Sequence, residues 1–557
     1  MPQTIDALLA PHAASAPAIG APDRTWLDFA GLRELVAETR SSLAANGIGR
    51  NDRVAIVLPN GPEMATAFVA VAAGATTAPL NPAYRAEELD FYLSDLGAKA
   101  LIVGRDEAGP AVAAAERHGC RILRLESDAG APAGRFRLAS DGPKVEAASP
   151  AAAGADDVAL VLHTSGTTSR PKIVPLLQRN LAASARHIGQ TLALGPADRC
   201  LNIMPLFHIH GLIAAVTSSL AAGASVACSP GFNALRFFAW LEDVDPTWYT
   251  AVPTMHQAIL TRADRNKDII ARIRLRFIRS SSASLPPQVM AALEETFGCP
   301  VIESYGMTEA THQMASNPLP PAPRKPGSVG IAAGPEVRIA NAANGFVAEG
   351  GIGEVVISGP NVTPGYEANE AANAANFFQA EGKRWFRTGD QGLMDEAGYL
   401  RLTGRLKEII NRGGEKVSPL EVDEVLMDHP AVQQVVTFAM PHAKLGEDVA
   451  AAVVLREGKS ADERSIRDFA ATRLADFKVP RRVVILDEIP KGATGKLQRI
   501  GLARSSGWAS EDLHLRCGRD RRPARRPAGP NRSRDEPRRP RLAPRRHAGE
   551  RPDADRW

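Results

Sequence analysis

Short apolar runs alternate with helix-like stretches over the first 400 residues, and this alternation most constrains the fold. Arg53-Val-Ala-Ile-Val-Leu-Pro59, Ala98-Lys-Ala-Leu-Ile-Val103, Val158 to Leu162 and Leu275-Arg-Phe-Ile-Arg279 read as strands. Gly353-Glu-Val-Val-Ile-Ser358 is the strongest of them, and Val226-Ala-Cys228 is a candidate strand start. Glu63 to Ala73 reads as a helix. Such alternation predicts an α/β fold. A chain of 557 residues exceeds what one hydrophobic core supports, so two or more domains are expected.

The layout changes near Arg405. Ser418-Pro-Leu-Glu421 has an N-cap serine, a first-turn proline and a glutamate three residues on, predicting a capping-box start for a helix from Leu420 to Met427. Ser460-Ala-Asp-Glu463 repeats the pattern before a helix predicted over Ile466 to Phe477, and Ala450 to Leu455 between them reads as a strand. The expected architecture is therefore a large α/β domain over 1–405, a small α+β domain over 406–504 and a tail over 505–557. Ser140 to Asp156, rich in Ala and Pro, reads as a surface connection.

The net charge of +4 belongs to the tail. From Arg504 onward there are sixteen arginines, no lysine and eight acidic residues, which leaves about −4 for residues 1–503. The body therefore carries no electrostatic signature of nucleic-acid binding. The tail has almost no Ile, Val, Leu or Phe and cannot offset its chain entropy, so disorder is expected. Its composition fits a frame-shifted gene end; the rival reading is an RNA- or membrane-binding arm. The five cysteines, Cys120, Cys200, Cys228, Cys299 and Cys517, are scattered, with no C-x-x-C pair. That argues against a disulfide framework or zinc site and for a reducing compartment. No signal peptide, peroxisomal signal or transmembrane run is recognisable, so a cytoplasmic enzyme, monomer or homodimer, is expected.

The strand Val158 to Leu162 ends in Thr164-Ser-Gly-Thr-Thr-Ser-Arg-Pro-Lys172. Hydroxyls and free backbone N–H groups on a tight turn suit phosphate oxygens, and a lysine adds a point charge. The common P-loop is excluded, because Gly166 is followed by Thr167 and Thr168 rather than by Lys-Ser/Thr. Gly351-Ile-Gly353 lacks the third glycine of a dinucleotide fingerprint. The loop resembles instead the phosphate loop of the adenylate-forming superfamily, which includes acyl-CoA synthetases. Ser169 stands where most members carry glycine, as in the oxalate–CoA ligase branch.

Further blocks carry this resemblance over roughly residues 10–504. Glu303-Ser-Tyr-Gly-Met-Thr-Glu309 resembles the second signature block, which implies that Glu303, Ser304 and Tyr305 line the nucleotide, with Tyr305 stacking on adenine. It further implies that Thr308 contacts the AMP phosphate and Glu309 holds Mg²⁺, a hard ion that takes one or two carboxylates beside phosphates. Ser282, Ala283 and Ser284 are expected at the nucleotide as well. Trp385-Phe-Arg-Thr-Gly-Asp390 resembles the block whose aspartate accepts from the ribose hydroxyls. Gly359-Pro and Gly365-Tyr366 belong to a supporting glycine-rich block read as structural. Gly404-Arg-Leu-Lys407 resembles the interdomain hinge, with Arg405 on ribose and Lys407 as pivot. Gly413 and Gly414, with Lys416, correspond to the lining of the pantetheine channel. Lys491-Gly-Ala-Thr-Gly-Lys496 resembles the last block, making Lys496 the adenylation lysine. ATP, Mg²⁺ and CoA are the implied cofactor and cosubstrates.

Two segments bear on the acid. Pro205-Leu-Phe-His-Ile-His-Gly211 resembles a further block of the family, with His208 at its usual position, and His210 is read as structural. Glu309-Ala-Thr-His312 and Arg279-Ser-Ser-Ser-Ala-Ser284 offer a histidine and hydroxyls where fatty and aryl acids need apolar lining. A buried second carboxylate must be paired or hydrogen-bonded. These segments resemble the oxalate–CoA ligase branch, with His208, Ser282 and His312 as candidates for the distal carboxylate. Malonate, or a medium-chain or coumarate-like acid, is the alternative within the class. An inactive fold whose tail prevents Lys496 from docking, and a nucleic-acid-associated protein built on the tail, are the alternatives outside it.

Overall fold

The computed structural model describes residues 1–128, 130–164, 171–492, 495–499 and 502. Among these residues the strands form four sheets. In the first, the strands run in the order Arg137–Ser140, Arg121–Glu126, Ala100–Gly104, Arg53–Val57, Thr76–Pro79, Val158–His163, Ile173–Leu177. Its inner pairings are parallel and the pair at each edge is antiparallel. The second sheet places Pro17–Gly20, Ser225–Cys228, Arg199–Asn202, Trp248–Ala251, Phe277–Ser280 and Val301–Met307 side by side and parallel, then continues antiparallel into His312–Ser316. Helices cover these strands, so the strands read as continuous apolar runs rather than alternating ones. The strands from Ser225, Trp248 and Phe277 are buried at every position.

The strands expected at Arg53, Ala98, Val158, Val226, Leu275 and Gly353 are present, with ends shifted by a residue or two. The helix near Glu63 spans Pro62–Ala72. Helices and strands thus alternate as the apolar pattern predicts, because each crossover must return on one face of a parallel sheet.

The third sheet is antiparallel and holds Glu336–Ala340, Gly353–Ser358, Lys383–Met394, Phe377–Ala380 and Leu400–Arg405. Its register sets Asp390 directly opposite Arg405. The fourth sheet begins at Ile410 and is built on the hairpin of Val432–His442 with Gly446–Leu455. Sheet membership therefore changes between Arg405 and Ile410. The small sheet and the rest pack into one compact unit.

Two helix starts differ in detail from expectation. Ser418 Oγ accepts from the Glu421 N–H at 3.2 Å, but the Glu421 carboxylate turns to Lys478 Nζ at 2.6 Å instead of completing the box. The next helix is capped by Asp462 rather than Ser460, and runs only over Glu463–Ala471. Asp462 Oδ1 accepts from Ser465 N at 2.7 Å, and a carboxylate is the better cap beside the positive helix end. Among the described residues no helix is long and apolar enough to cross a membrane.

Candidate active site

Ligands of open α/β sheets bind beyond the carboxyl ends of the parallel strands. Here those ends deliver Thr254 after Trp248–Ala251, Ser281 to Ser284 after Phe277–Ser280, and Tyr305 to Glu309 at the end of Val301–Met307. The strand Val158–His163 of the first sheet delivers Thr164.

Tyr305 is almost fully buried, and its hydroxyl donates to Asp390 Oδ2 at 2.5 Å. Arg405 Nε lies 3.3 Å from Asp390 Oδ1, as the strand register requires. Burial holds the Asp390 carboxyl above its usual range, against the pull of Arg405 and the Tyr305 hydroxyl. The ammonium of Lys496 is near enough to sense both Arg405 and Asp390. Burial, then Arg405, push it down to about 8. The turn that carries it is tied to the large sheet, since the Thr254 hydroxyl donates to the Gly495 carbonyl at 2.7 Å. The turn bearing Lys496 is thus held against the large domain, close to the Asp390 and Arg405 pair.

A second group forms around Glu309, whose side chain is 6% exposed. The Tyr366 hydroxyl donates to Glu309 Oε1 at 2.8 Å, and Lys172 Nζ sits 4.3 Å from the centre of the Tyr366 ring. Lys172 and Thr164 bond to each other across the ends of the segment expected to hold phosphate: Thr164 N donates to the Lys172 carbonyl at 3.0 Å, and Lys172 N to Thr164 Oγ1 at 3.2 Å. Ser165, Gly166, Thr167 and Thr168 lie outside the described residues. Burial raises the Glu309 carboxyl above its usual range, which favours a positive neighbour there. Among the described residues no group of three His, Cys, Asp or Glu is placed to hold a metal. One hard carboxylate beside a phosphate loop fits an ion that arrives with the phosphates, as Mg²⁺ does, rather than a resident all-protein cage.

The third group is a histidine cluster, with His210 and His312 buried and His208 half-buried. His210 opens a π-helical stretch, His210–Thr217, buried at every residue. His210 Nδ1 is 3.0 Å from Ser282 Oγ, and its backbone N–H donates to His208 Nδ1 at 3.3 Å. The rings of His210 and His312 are 5.0 Å apart. Burial and Lys496 push His208 down to about 3, and burial holds His210 and His312 well below the usual imidazole range. All three are neutral at physiological pH. His312 Nδ1 has no partner among the described residues. Ser282 and His312 both have positive φ, 74° and 96°. This fold-back is possible because residue 306 is glycine, where a Cβ would lie 1.9 Å from the His312 carbonyl oxygen. Glu303 is buried, accepts from Leu285 N at 2.8 Å through one oxygen and, among the described residues, has no partner for the other. Burial pushes it up to about 8, so it is mostly protonated at neutral pH.

Comparison with known proteins identifies the family. A family model described as AMP-binding enzyme matches residues 10–367, and one for the AMP-binding enzyme C-terminal domain matches residues 421–496. The chain belongs to the AMP-binding enzyme family. It is 47% identical over 494 residues to an oxalate–CoA ligase of Arabidopsis thaliana, covering 86% of this chain and 95% of that protein. An oxalate–CoA ligase of Saccharomyces cerevisiae is 40% identical over 489 residues, covering 83% and 88%. The crystal structure of ATP-bound MatB from Rhodopseudomonas palustris aligns with a TM-score of 0.79 at 29% identity, covering 89% of this chain and 97% of that one.

Within this AMP-binding enzyme, the expected site residues fall into two sets. Thr164, Lys172, Ser282, Glu303, Ser304, Tyr305, Thr308, Glu309, His208, His312, Asp390, Arg405 and Lys496 belong to the strand-end groups just described or to the segments carrying them. Ala283 and Ser284 sit at the exposed lip of the same turn, and Lys407 is exposed just after Arg405. Gly413, Gly414 and Lys416 are on the hairpin Ile410–Arg412 with Glu415–Val417. Their backbone bonds stay in the small domain's loops, Gly413 N to the Leu445 carbonyl at 2.9 Å and Gly414 N to Asn411 Oδ1 at 3.2 Å. Two residues were missed. Tyr366 belongs to a block read as structural, yet its hydroxyl holds Glu309. Thr254 follows Val252-Pro253 and carries no signal in the sequence at all.

Proposed function

We propose that this chain is an AMP-forming acid–CoA ligase that converts oxalate, ATP and CoA to oxalyl-CoA, AMP and diphosphate. The observation that carries the reading is Lys496 held near the Asp390 and Arg405 pair, close to a pocket of neutral histidines and a serine hydroxyl. The likeness to oxalate–CoA ligases over most of the chain supports the choice of acid.

In the first step one carboxylate of the acid attacks the α-phosphorus of ATP, and diphosphate leaves. Asp390 accepts from the ribose hydroxyls, since an ionised carboxylate only accepts. Lys496, Thr308, Thr164 and Lys172 face the phosphates and offset the charge that grows in the transition state. Glu309, steadied by Tyr366, is the residue that would hold Mg²⁺, which when bound neutralises phosphate charge. His208, Ser282 and His312 hold the carboxylate that does not react.

In the second step the segment from 406 to 504 turns about Lys407 and withdraws Lys496. The hairpin bearing Gly413, Gly414 and Lys416 comes in to line a channel for the CoA arm. The thiol sulfur then attacks the acyl carbon and AMP leaves. One closure per half-reaction lets a single pocket serve both. Four described cysteines are free and buried, which supports a cytoplasmic, reducing setting.

A diphosphate-release assay over a panel of acids, with and without CoA, tests the proposal. Oxalate is expected to give CoA-dependent turnover above malonate, octanoate and coumarate. A preference for any of those three overturns the choice of acid, and no release with any acid overturns the enzyme class.

A further inference from the structure

Arg279 lies on the strand Phe277–Ser280 behind the histidine pocket and is fully buried. A guanidinium so placed is ordinarily matched by a carboxylate, because an unpaired buried charge is costly. Arg276, just before the same strand and only partly buried, is paired, reaching Asp198 through Nε at 3.0 Å and Nη2 at 3.1 Å. Arg279 is not. Among the described residues it forms no salt bridge, its Nε has no partner, and its three contacts are long. Nη1 lies 3.4 Å from His210 Nε2 and 3.5 Å from Thr250 Oγ1, and Nη2 lies 3.3 Å from Gln313 Oε1. Gln313 presents that oxygen because its amide nitrogen is committed to Thr191 Oγ1 at 3.1 Å and to the Ala333 carbonyl at 3.0 Å.

These contacts decide where protons sit. A guanidinium only donates. His210 Nε2 faces it, and faces the Thr250 hydroxyl at 2.6 Å, so Nε2 keeps its lone pair. Burial, His312 and Arg279 keep the ring neutral, so its one proton is on Nδ1. Nδ1–H then donates to Ser282 Oγ at 3.0 Å. With its oxygen so engaged, the Ser282 hydroxyl turns its own proton outward. Likewise His208 Nδ1 accepts the His210 backbone N–H at 3.3 Å, leaving the His208 proton on Nε2.

We propose that Arg279 is a positioning residue that sets the pocket's preference for an acid with a second anionic group, by fixing the His210 tautomer so that Ser282 donates, and by leaving one buried positive charge for the acid to match. This rests on the functional reading above, that the pocket holds a non-reacting carboxylate. Adenylation neutralises only the reacting carboxylate. The distal one stays charged through both half-reactions, so a fixed counter-charge serves it throughout.

The test compares oxalate with oxamate, which has the same skeleton but a neutral amide at the distal position, by diphosphate release at saturating ATP and magnesium. Arg279→Gln is expected to lower kcat/KM for oxalate about 30-fold, mostly through KM, while changing oxamate less than about threefold; a hydrogen bond to a charged group has that size. Arg279→Lys should recover part of the loss. His210→Asn, whose amide N–H falls near the Nδ1 position, should keep most oxalate activity, whereas His210→Gln, whose amide falls near Nε2, should lose it. Thermal melting of each variant shows which are folded, and if Arg279→Gln is not, the His210 pair decides. Equal losses for both acids in Arg279→Gln, or equal losses in the two His210 variants, overturn the proposal. A wild-type protein that prefers oxamate to oxalate instead overturns the functional reading. A wild type that prefers oxalate, with the ratio unchanged in Arg279→Gln, overturns only the role of Arg279.

Discussion

If Lys496 serves adenylation as proposed, its place near Arg405 makes that step sensitive to alkaline pH. Burial and the neighbouring Arg405 bring its ammonium down to about 8 from an ordinary lysine value near 10.5. The sign follows from the direction. A lowered lysine is charged below the shifted value and neutral above it, and only the charged form stabilises the phosphates. At pH 7 about ten in eleven molecules carry the charge, and at pH 9 about one in eleven, so kcat/KM for ATP in the first step should fall about tenfold between them. In the ATP complex the added phosphate charge favours the ammonium, so the fall in kcat should come at higher pH than the fall in kcat/KM. The assay is oxalate-dependent ATP–diphosphate exchange without CoA, which removes the CoA thiol from the profile. Lys496→Arg should be slower but flat to pH 9, because a guanidinium stays charged. Glu303 needs its own control, since burial pushes it up to about 8 in the same window. Glu303→Gln should leave the alkaline fall in place. If Lys496→Arg falls with the same midpoint as wild type, or Glu303→Gln abolishes the fall, the assignment to Lys496 is wrong.

Two further outcomes follow from single contacts. Asp390→Asn removes the charge that pairs Arg405 at 3.3 Å and accepts from Tyr305 at 2.5 Å, and should weaken ATP binding by about 1.5–3 kcal/mol with little change in the KM of the acid; calorimetric titration with ATP checks it, and unchanged affinity refutes the ribose role. Gly330→Ala should destabilise the fold by about 3 kcal/mol or more, because φ is +89° and the added Cβ would lie 2.0 Å from the Asn317 backbone nitrogen, in a place no rotamer can relieve; a melting temperature equal to that of wild type would refute it.

Much of the candidate site was legible because the residues proposed for phosphate and ribose lie in short contiguous blocks, most of them at strand ends. Chain direction alone puts Tyr305 to Glu309 and Ser281 to Ser284 at the same rim, since parallel strands end on one side. The second helix of the small domain was mis-capped because serine and aspartate two residues apart are both good caps, and only the tertiary position of Asp462 chooses between them. Tyr366 was read as structural because a tyrosine after glycine is common in any packed loop. Its function depends on the Glu309 carboxylate, which is 57 residues away in sequence.

The apolar alternation and the ordered blocks, by themselves, determined the class of fold and the family and put forward the candidate ATP residues, because those properties follow from local periodicity and contiguous motifs. Tertiary structure alone decided the charge state of the site. Lys496 comes near Asp390 only when segments more than 100 residues apart converge, and the burial this brings lowers its ammonium. The same holds for Arg279. In the sequence it is one more arginine after an isoleucine, and only the folded core, which among the described residues sets no carboxylate against it and places His210 beside it, makes it the charge proposed to serve the ligand.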